Sequence, residues 1–333
     1  MKVSVLITTY NLEHYVAETI ESVLSQKTNF DFEILIGDDG SQDKTASIVK
    51  TYAERYPGRI ELYVMDRNPE VKYNRIERAS KNRINLVEHA KGEYLIFLDG
   101  DDLYIDEGKL QKQVDILEEE ENQDCIACTH NIWLYWNEDK KELINPYKKK
   151  FKISGREYWK NCMYFHSDTV MFRNIYHGKF PEEIPKNYYD DNIIIYSLLK
   201  YGKLLYIPDV MVNYRQLENS SWNSVDDMEK NLINLLDWDI EEQINSEYRR
   251  PSTIRHMYNI LYVWLKQKYI TPELREKYGC QMRESGLKRA EKWMNFSKQT
   301  LGFKIKKTVW LFAYMMIFLW NIVRKQFAMK KYF

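Results

Sequence analysis

Glycine is scarce, with 12 residues in 333, and proline scarcer, with eight. Neither G-x-G-x-x-G nor G-x-x-x-x-G-K-[ST] occurs, which excludes a backbone cradle of the P-loop or dinucleotide-fingerprint kind. A phosphate bound here must be held by side chains or by a metal. Cysteine is limited to Cys125, Cys128, Cys162 and Cys280, too few for a disulfide framework in a chain of this length. Cys125 and Cys128 form one C-x-x-C, but the run Cys-Ile-Ala-Cys-Thr-His reads as a buried strand and no second C-x-x-C follows, so zinc and redox chemistry are set aside. No secretory leader is recognisable: a single Lys precedes an apolar run that stops at Thr8-Thr9-Tyr10-Asn11, and the chain is expected in the cytoplasm. Acidic residues are missing from Lys292 to Phe333, where nine basic residues stand. The preceding 291 residues carry 40 basic and 49 acidic groups. An acidic body with a basic tail argues against nucleic acid and for an anionic surface met by the C-terminal segment.

What is present is an ordinary globular balance, 44% hydrophobic and 29% charged, without repeats or low-complexity linkers. The first third alternates. Val3–Ile7, Phe32–Ile36, Ile60–Met65 and Tyr94–Leu98 read as short apolar strands. Glu13–Gln26, Asp43–Tyr56 and Arg75–His89 have helical spacing. This β-α-β-α-β-α-β order implies a mostly parallel sheet flanked by helices, with right-handed crossovers. Further on, Lys109–Glu121 reads as a helix, Cys125–Trp136 as a strand, Lys140–Lys152 as a basic loop, Asp191–Tyr201 as a helix and Leu204–Tyr214 as a strand. Beyond Asp226 the reading is helical.

Ligands of such sheets sit at the carboxyl ends of the strands. Here those ends run into Thr8-Thr9-Tyr10-Asn11, Asp38-Asp39-Gly40-Ser41 and Asp99-Gly100-Asp101-Asp102. Five carboxylates at two strand ends repel one another unless a cation lies between them. A hard divalent ion with oxygen ligands answers that, and it would neutralise a diphosphate leaving group. A turn and N-cap explain one of the two clusters, not both.

These segments, together with Glu21–Gln26, Ile34–Thr45 and Ser80–Asp102, resemble family 2 of the inverting, GT-A-fold glycosyltransferases over roughly residues 1–225. The resemblance implies that Thr8, Tyr10 and Glu13 surround the nucleotide, that Asp39 bonds the base with Asp38 beside it, and that Asn82 belongs to an R-N pair whose arginine Lys81 replaces. Asp99-Gly100-Asp101 matches the D-x-D signature, Asp99 facing the ribose and Asp101 the metal, Mn²⁺ or Mg²⁺. Asp191 falls at the place of the catalytic base, with Asp190 in place of the usual Glu. A carboxylate at a helix start stays ionised and can take the acceptor hydroxyl proton, although either residue can equally serve as a cap. Arg215 matches a diphosphate contact or is equally a surface arginine, while Leu217 stands where the family carries a His. His166 and Trp222 fall in the acceptor region.

The tail adds a twelve-residue apolar run, Val309–Trp320, flanked by lysines. At ~1.5 Å per residue it covers roughly 20 Å of helix, short of the ~30 Å hydrocarbon core, and suits a helix lying in the interface of an anionic membrane. The expected organisation is a catalytic GT-A domain over 1–225, a helical extension over 226–300 and a membrane-associating tail over 301–333, peripheral on the inner face of the plasma membrane. The expected reaction is metal-dependent, inverting transfer of a sugar from a nucleotide-diphosphate donor, UDP first, to a lipid-linked or polysaccharide acceptor. The rivals are a nucleotidyltransferase, against which the segment after strand one lacks a Gly-rich signature, and an inactive scaffold that binds nucleotide sugar.

Overall fold

The structure, a computed structural model, describes residues 1–245 apart from 69, 72, 161–162, 218–219 and 221–222, together with 271–274 and 316. Trp222 and most of the region after 245, including the tail, lie outside the described residues. Two units are distinguished. The first contains Met1–Gly155 and Tyr164–Leu217.

The elements follow in chain order as β1 (Val3–Thr9), α1 (Val16–Leu24), β2 (Phe32–Asp38), α2 (Thr45–Arg55), β3 (Ile60–Val64), α3 (Arg75–His89), β4 (Tyr94–Asp99), β5 (Leu103–Tyr104), α4 (Lys109–Glu118), β6 (Cys125–Asn137), β7 (Lys140–Leu143), β8 (Phe151–Ile153), α5 (Gly155–Lys160), β9 (Met171–Arg173), α6 (Asp191–Leu198), β10 (Lys203–Arg215) and α7 (Asp227–Ile244). A 3-10 turn, Ser167–Thr169, precedes β9. Ten strands form one sheet in the order β3-β2-β1-β4-β9-β6-β10-β5, with β7 paired to β6 and β8 to β10. β1 runs parallel to both β2 and β4, as the βαβ pattern requires, and β9 enters antiparallel between β4 and β6.

The continuous apolar strands are buried from both sides, as parallel sheets are: Val3, Val5, Leu6, Ile7, Ile34, Leu35, Ile36, Leu95, Ile96 and Leu98 have no exposed surface. α1 turns Val16, Thr19, Ile20 and Val23 inward, the three-four spacing of one helix face. α3 starts where the Asn74 side chain accepts from the Ile76 and Glu77 backbone N–H groups, satisfying two donors that a helix start leaves open. Two expectations need correction. The stretch read as a basic loop over Lys140–Lys152 holds β7 and β8, and β7 has every residue exposed, so it offers no apolar alternation to read. The helix expected to reach Glu121 stops at Glu118. Cys125 and Cys128 are free and buried in β6, and burial pushes the Cys128 thiol up to about 12, which suppresses thiolate chemistry.

In the second unit α7 is capped by Asp226, whose carboxylate accepts from the Glu229 N–H at 2.8 Å.

Candidate active site

The central strand β1 joins two groups of polar side chains. Its Thr9 is in register with Asp38 and its Thr8 with Asp99. The same residues bond across: Thr9 Oγ1 donates to Asp38 Oδ2 at 3.1 Å and Thr8 Oγ1 to Asp99 Oδ1 at 3.0 Å. Backbone bonds extend both junctions, from Asp39 N–H to the Thr9 carbonyl and from Gly100 N–H to the Thr8 carbonyl, each 2.9 Å. Gly100 has no room for a side chain, because a Cβ there would meet Thr9 Cγ2 at 2.6 Å and the Thr8 carbonyl oxygen at 2.8 Å. Glycine between Asp99 and Asp101 is required by this close approach.

The first group surrounds Asp39. Arg67 Nη1 donates to Asp39 Oδ2 at 2.8 Å and Arg78 Nε to Asp39 Oδ1 at 2.5 Å. The Arg67 guanidinium lies 4.0 Å from the ring centroid of Tyr10 and 5.3 Å from that of Tyr73, with Tyr10 39% exposed. This is a cationic, aromatic-lined wall carrying one acid. Arg67, Tyr73 and Arg78 were not singled out from the sequence. Asp38 is wholly buried, accepting from the Ser41 N–H at 2.8 Å and the Ser41 hydroxyl at 2.6 Å. It shapes the turn, a placement that departs from the donor contact expected of it. Glu13 likewise turns to α2, accepting from the Lys44 N–H at 3.0 Å.

The second group lies at the end of β4. Arg83 is its organiser. Its Nη2 stands 3.4 Å from Asp99 Oδ1 and 3.2 Å from Asp191 Oδ1. The expected arginine before Asn82 is thus found one residue after it. Asn82 itself is buried, donating from Nδ2 to the Gly37 carbonyl at 2.8 Å, while its Oδ1 has no hydrogen-bond partner. Asp190 and Asp191 divide their roles as neighbours at a helix start can. Asp190 is the N-cap of α6, accepting from the Ile193 N–H at 3.0 Å. Asp191 turns to Arg83, to the Tyr164 hydroxyl at 3.1 Å and to His166 Nε2 at 3.7 Å. Burial opposes its charge, but His166 and Arg83 outweigh that and hold the Asp191 carboxyl below the usual range. His166 is also buried, yet Asp168 and Asp191 raise it to about 10.

Asp99, Asp102, His166 and Asp168 each bring one potential ligand atom, all within 4.8 Å of one another. Asp102 accepts from the Arg215 N–H at 2.7 Å through Oδ1. Asp168 accepts from the Asp99 N–H at 3.2 Å through Oδ1. The second oxygen of each, Asp102 Oδ2 and Asp168 Oδ2, is buried without a hydrogen-bond partner, a costly state for a carboxylate unless a proton or a cation meets it. Burial, then Asp168, drives Asp102 well above its ordinary value, and burial, then Asp99, pushes Asp101 up to about 7. Such crowding fits a cation. Asp168 was passed over in the sequence for its neighbour His166, although an acid inside the apolar run Met163–Phe172 was the signal. The Arg215 guanidinium, expected at a diphosphate, is taken up by the Asp101 carbonyl at 2.8 Å and by an ion pair with Glu18.

The Glycosyl transferase family 2 profile matches residues 4–178. That is more than half of the chain, and the chain belongs to this family. Among curated proteins it is similar to EpsE of Bacillus subtilis, a putative glycosyltransferase, at 39% identity over 126 residues, 38% of this chain and 42% of EpsE. It is similar to TuaG of the same organism, a putative teichuronic acid biosynthesis glycosyltransferase, at 34% over 117 residues, 35% of this chain and 42% of TuaG. The chain spans 60% of the length of three uncharacterized mycobacterial relatives, which it matches at 26% identity over 226 residues, 66% of its own length. Among solved structures, that of S. aureus TarS 1–349 in complex with UDP-GlcNAc superimposes with a TM-score of 0.55 at 19% identity, covering 85% of this chain and 80% of that one. The fold is therefore GT-A. Among the described residues no helix is long and apolar enough to cross a membrane.

Proposed function

We propose that this protein moves one sugar from a nucleotide-diphosphate donor, UDP-linked, to a hydroxyl of a lipid-linked or polysaccharide acceptor, with inversion at the anomeric carbon. The observation that supports it most is the single guanidinium of Arg83 between Asp99 and Asp191: the acid of the D-x-D signature and the base at the start of α6 are brought to one point from segments 92 positions apart. The nucleotide base is assigned to the Asp39 and Tyr10 wall, the ribose to Asp99. Asp191 takes the proton of the acceptor hydroxyl as that oxygen forms its bond to C1. The bond from C1 to the phosphate oxygen breaks, and its electron pair leaves with the nucleoside diphosphate. Mn²⁺ or Mg²⁺, held by Asp101 with the neighbouring acids, would offset the charge of that leaving group. The UDP-GlcNAc complex of TarS and the teichuronic acid biosynthesis named for TuaG favour this donor and acceptor class.

We further assign catalysis to residues 1–225, a helical extension to 226–300 and membrane association to 301–333, where the basic, acid-free composition of Lys292–Phe333 favours an anionic cytoplasmic leaflet. Deleting 301–333 should then lower recovery in the membrane fraction, and unchanged recovery removes the assignment.

The test is release of nucleoside diphosphate from a panel of UDP-sugars. Asp191→Asn should lower turnover by about 10² to 10⁴-fold while thermal stabilisation by the donor persists. Release of pyrophosphate would support a nucleotidyltransferase instead. Full activity in a strong chelator, or with Asp101→Ala, removes the metal from the scheme.

A further inference from the structure

Strands β6 and β10 share the greatest length in the sheet, 13 residues each. β6 is 13 residues long, and its last residues run beside β10 to the point where Tyr135 pairs with Arg215. The Gln216 N–H donates to the Tyr135 carbonyl at 2.9 Å. Arg215 is the residue whose backbone N–H holds Asp102 and whose guanidinium holds the Asp101 carbonyl. Trp136, one residue beyond Tyr135, therefore stands on the rim that carries the D-x-D signature. A second line of contacts leads to the same place from the proposed base. His166 Nε2 lies 3.7 Å from Asp191, the His166 ring packs on Tyr214 with centroids 4.3 Å apart, and Tyr214 pairs with Leu134. Trp136 lies two positions beyond Leu134, about 7 Å along a strand.

Trp136 is 37% exposed and Leu143, on the paired strand β7, 45%. Leu143 pairs with Trp133, away from the turn, so Trp136 is the large apolar side chain near the tip of this hairpin, and an exposed aromatic held on ordered strands is available for contact. The charges around it choose the occupant. Glu138, Asp139 and Glu142 outnumber Lys140 and Lys141, a mixed and slightly acidic rim that would be repelled by an anionic lipid surface. It suits a neutral polyol. One face of a pyranose ring presents C–H groups that lie flat on an indole, while its hydroxyls point sideways to amides, carboxylates and ammonium groups. The Lys140 ammonium lies over the Trp136 ring, 4.3 Å from its centroid, so a sugar stacking on the indole would take the opposite face or displace this ammonium, which could then donate to its hydroxyls.

We propose that the β6–β7 hairpin is an acceptor subsite, in which a pyranose ring of the acceptor glycan stacks on Trp136. This rests on the transferase reading and adds to it a place for the part of the acceptor that does not react. Binding energy gathered there would position the reacting hydroxyl near Asp191.

The experiment compares the full chain with Trp136→Phe and Trp136→Ala on an array of immobilised bacterial surface glycans, with thermal shifts by UDP-sugars measured on the same preparations. The wild type should retain a subset of glycans. Trp136→Ala should lose retention on those spots by about tenfold, and Trp136→Phe, which keeps a ring, should stay within about threefold. Thermal shifts by UDP-sugars should be the same in all three proteins. No glycan bound by the wild type, equal retention by Trp136→Ala, or equal losses in both variants would overturn the subsite. A wild type that retains glycans and shows no shift with any nucleotide sugar would instead strike at the donor reading and leave the subsite standing.

Discussion

Asp99 and Asp191, carried by β4 and α6, meet at the same nitrogen of Arg83, at 3.4 and 3.2 Å. Arg83 is buried and also faces the Tyr189 carbonyl at 3.4 Å. The guanidinium thus neutralises acids that would otherwise repel each other in a medium of low dielectric.

Removing it leaves buried carboxylates uncompensated. Arg83→Leu should therefore lower unfolding free energy by ~3 to 5 kcal/mol, measured by urea denaturation. Arg83→Lys, which keeps the charge but loses the planar fork, should recover part of the loss. A cost below ~1 kcal/mol for Arg83→Leu would show that the acids are neutralised by other means.

Gly37 and Asn82 are mutually fitted. A Cβ on Gly37 would lie 2.0 Å from Asn82 Oδ1, so Gly37→Ala should cost ~1 to 3 kcal/mol by overpacking. In an Asn82→Ala background the clash is gone. The double-mutant cycle should give a coupling of at least ~1 kcal/mol, and strict additivity would mean that the strand end adjusts freely.

Lys109 is wholly buried, its Nζ donating to Gln113 Oε1 at 2.8 Å and lying 4.2 Å from the Tyr104 ring centroid. Burial lowers it from 10.5 to about 7, against the opposing pull of Asp168. Between pH 7 and 9 the unfolded chain holds this proton and the folded chain does not. The Lys109 contribution to stability therefore rises with pH, by at most ~1.4 kcal/mol per unit. Lys109→Met should flatten the rise of unfolding free energy across that window. The same slope in both proteins would place the titration elsewhere.

The sheet was legible in the sequence because its central strands are buried on both faces and read as unbroken apolar runs, and α3 was bounded correctly at both ends. The placement of Asp99 at a strand end and of Asp190-Asp191 at a helix start was also legible. What escaped was of another kind. Arg67, Arg78 and Arg83 carry charges that look like solvated helix and loop residues. Only the fold shows that Arg78 and Arg83 share the buried face of α3 with Leu86 and Val87. Arginines at core-facing helical positions were the available sign. Asp168 was masked by the histidine two residues earlier, and β7 by its lack of any apolar residue before Leu143.

The partnership of Asp102 with the Arg215 backbone has a further consequence for how the molecule comes into being. The two lie 113 positions apart, with all of β6 made between them. During synthesis Asp99 and Asp102 are made well before His166 and Asp168, and all four before the strand that supplies the last support at residue 215. A chain halted upstream would lack the backbone donor that meets Asp102, so this rim is consolidated only late in synthesis.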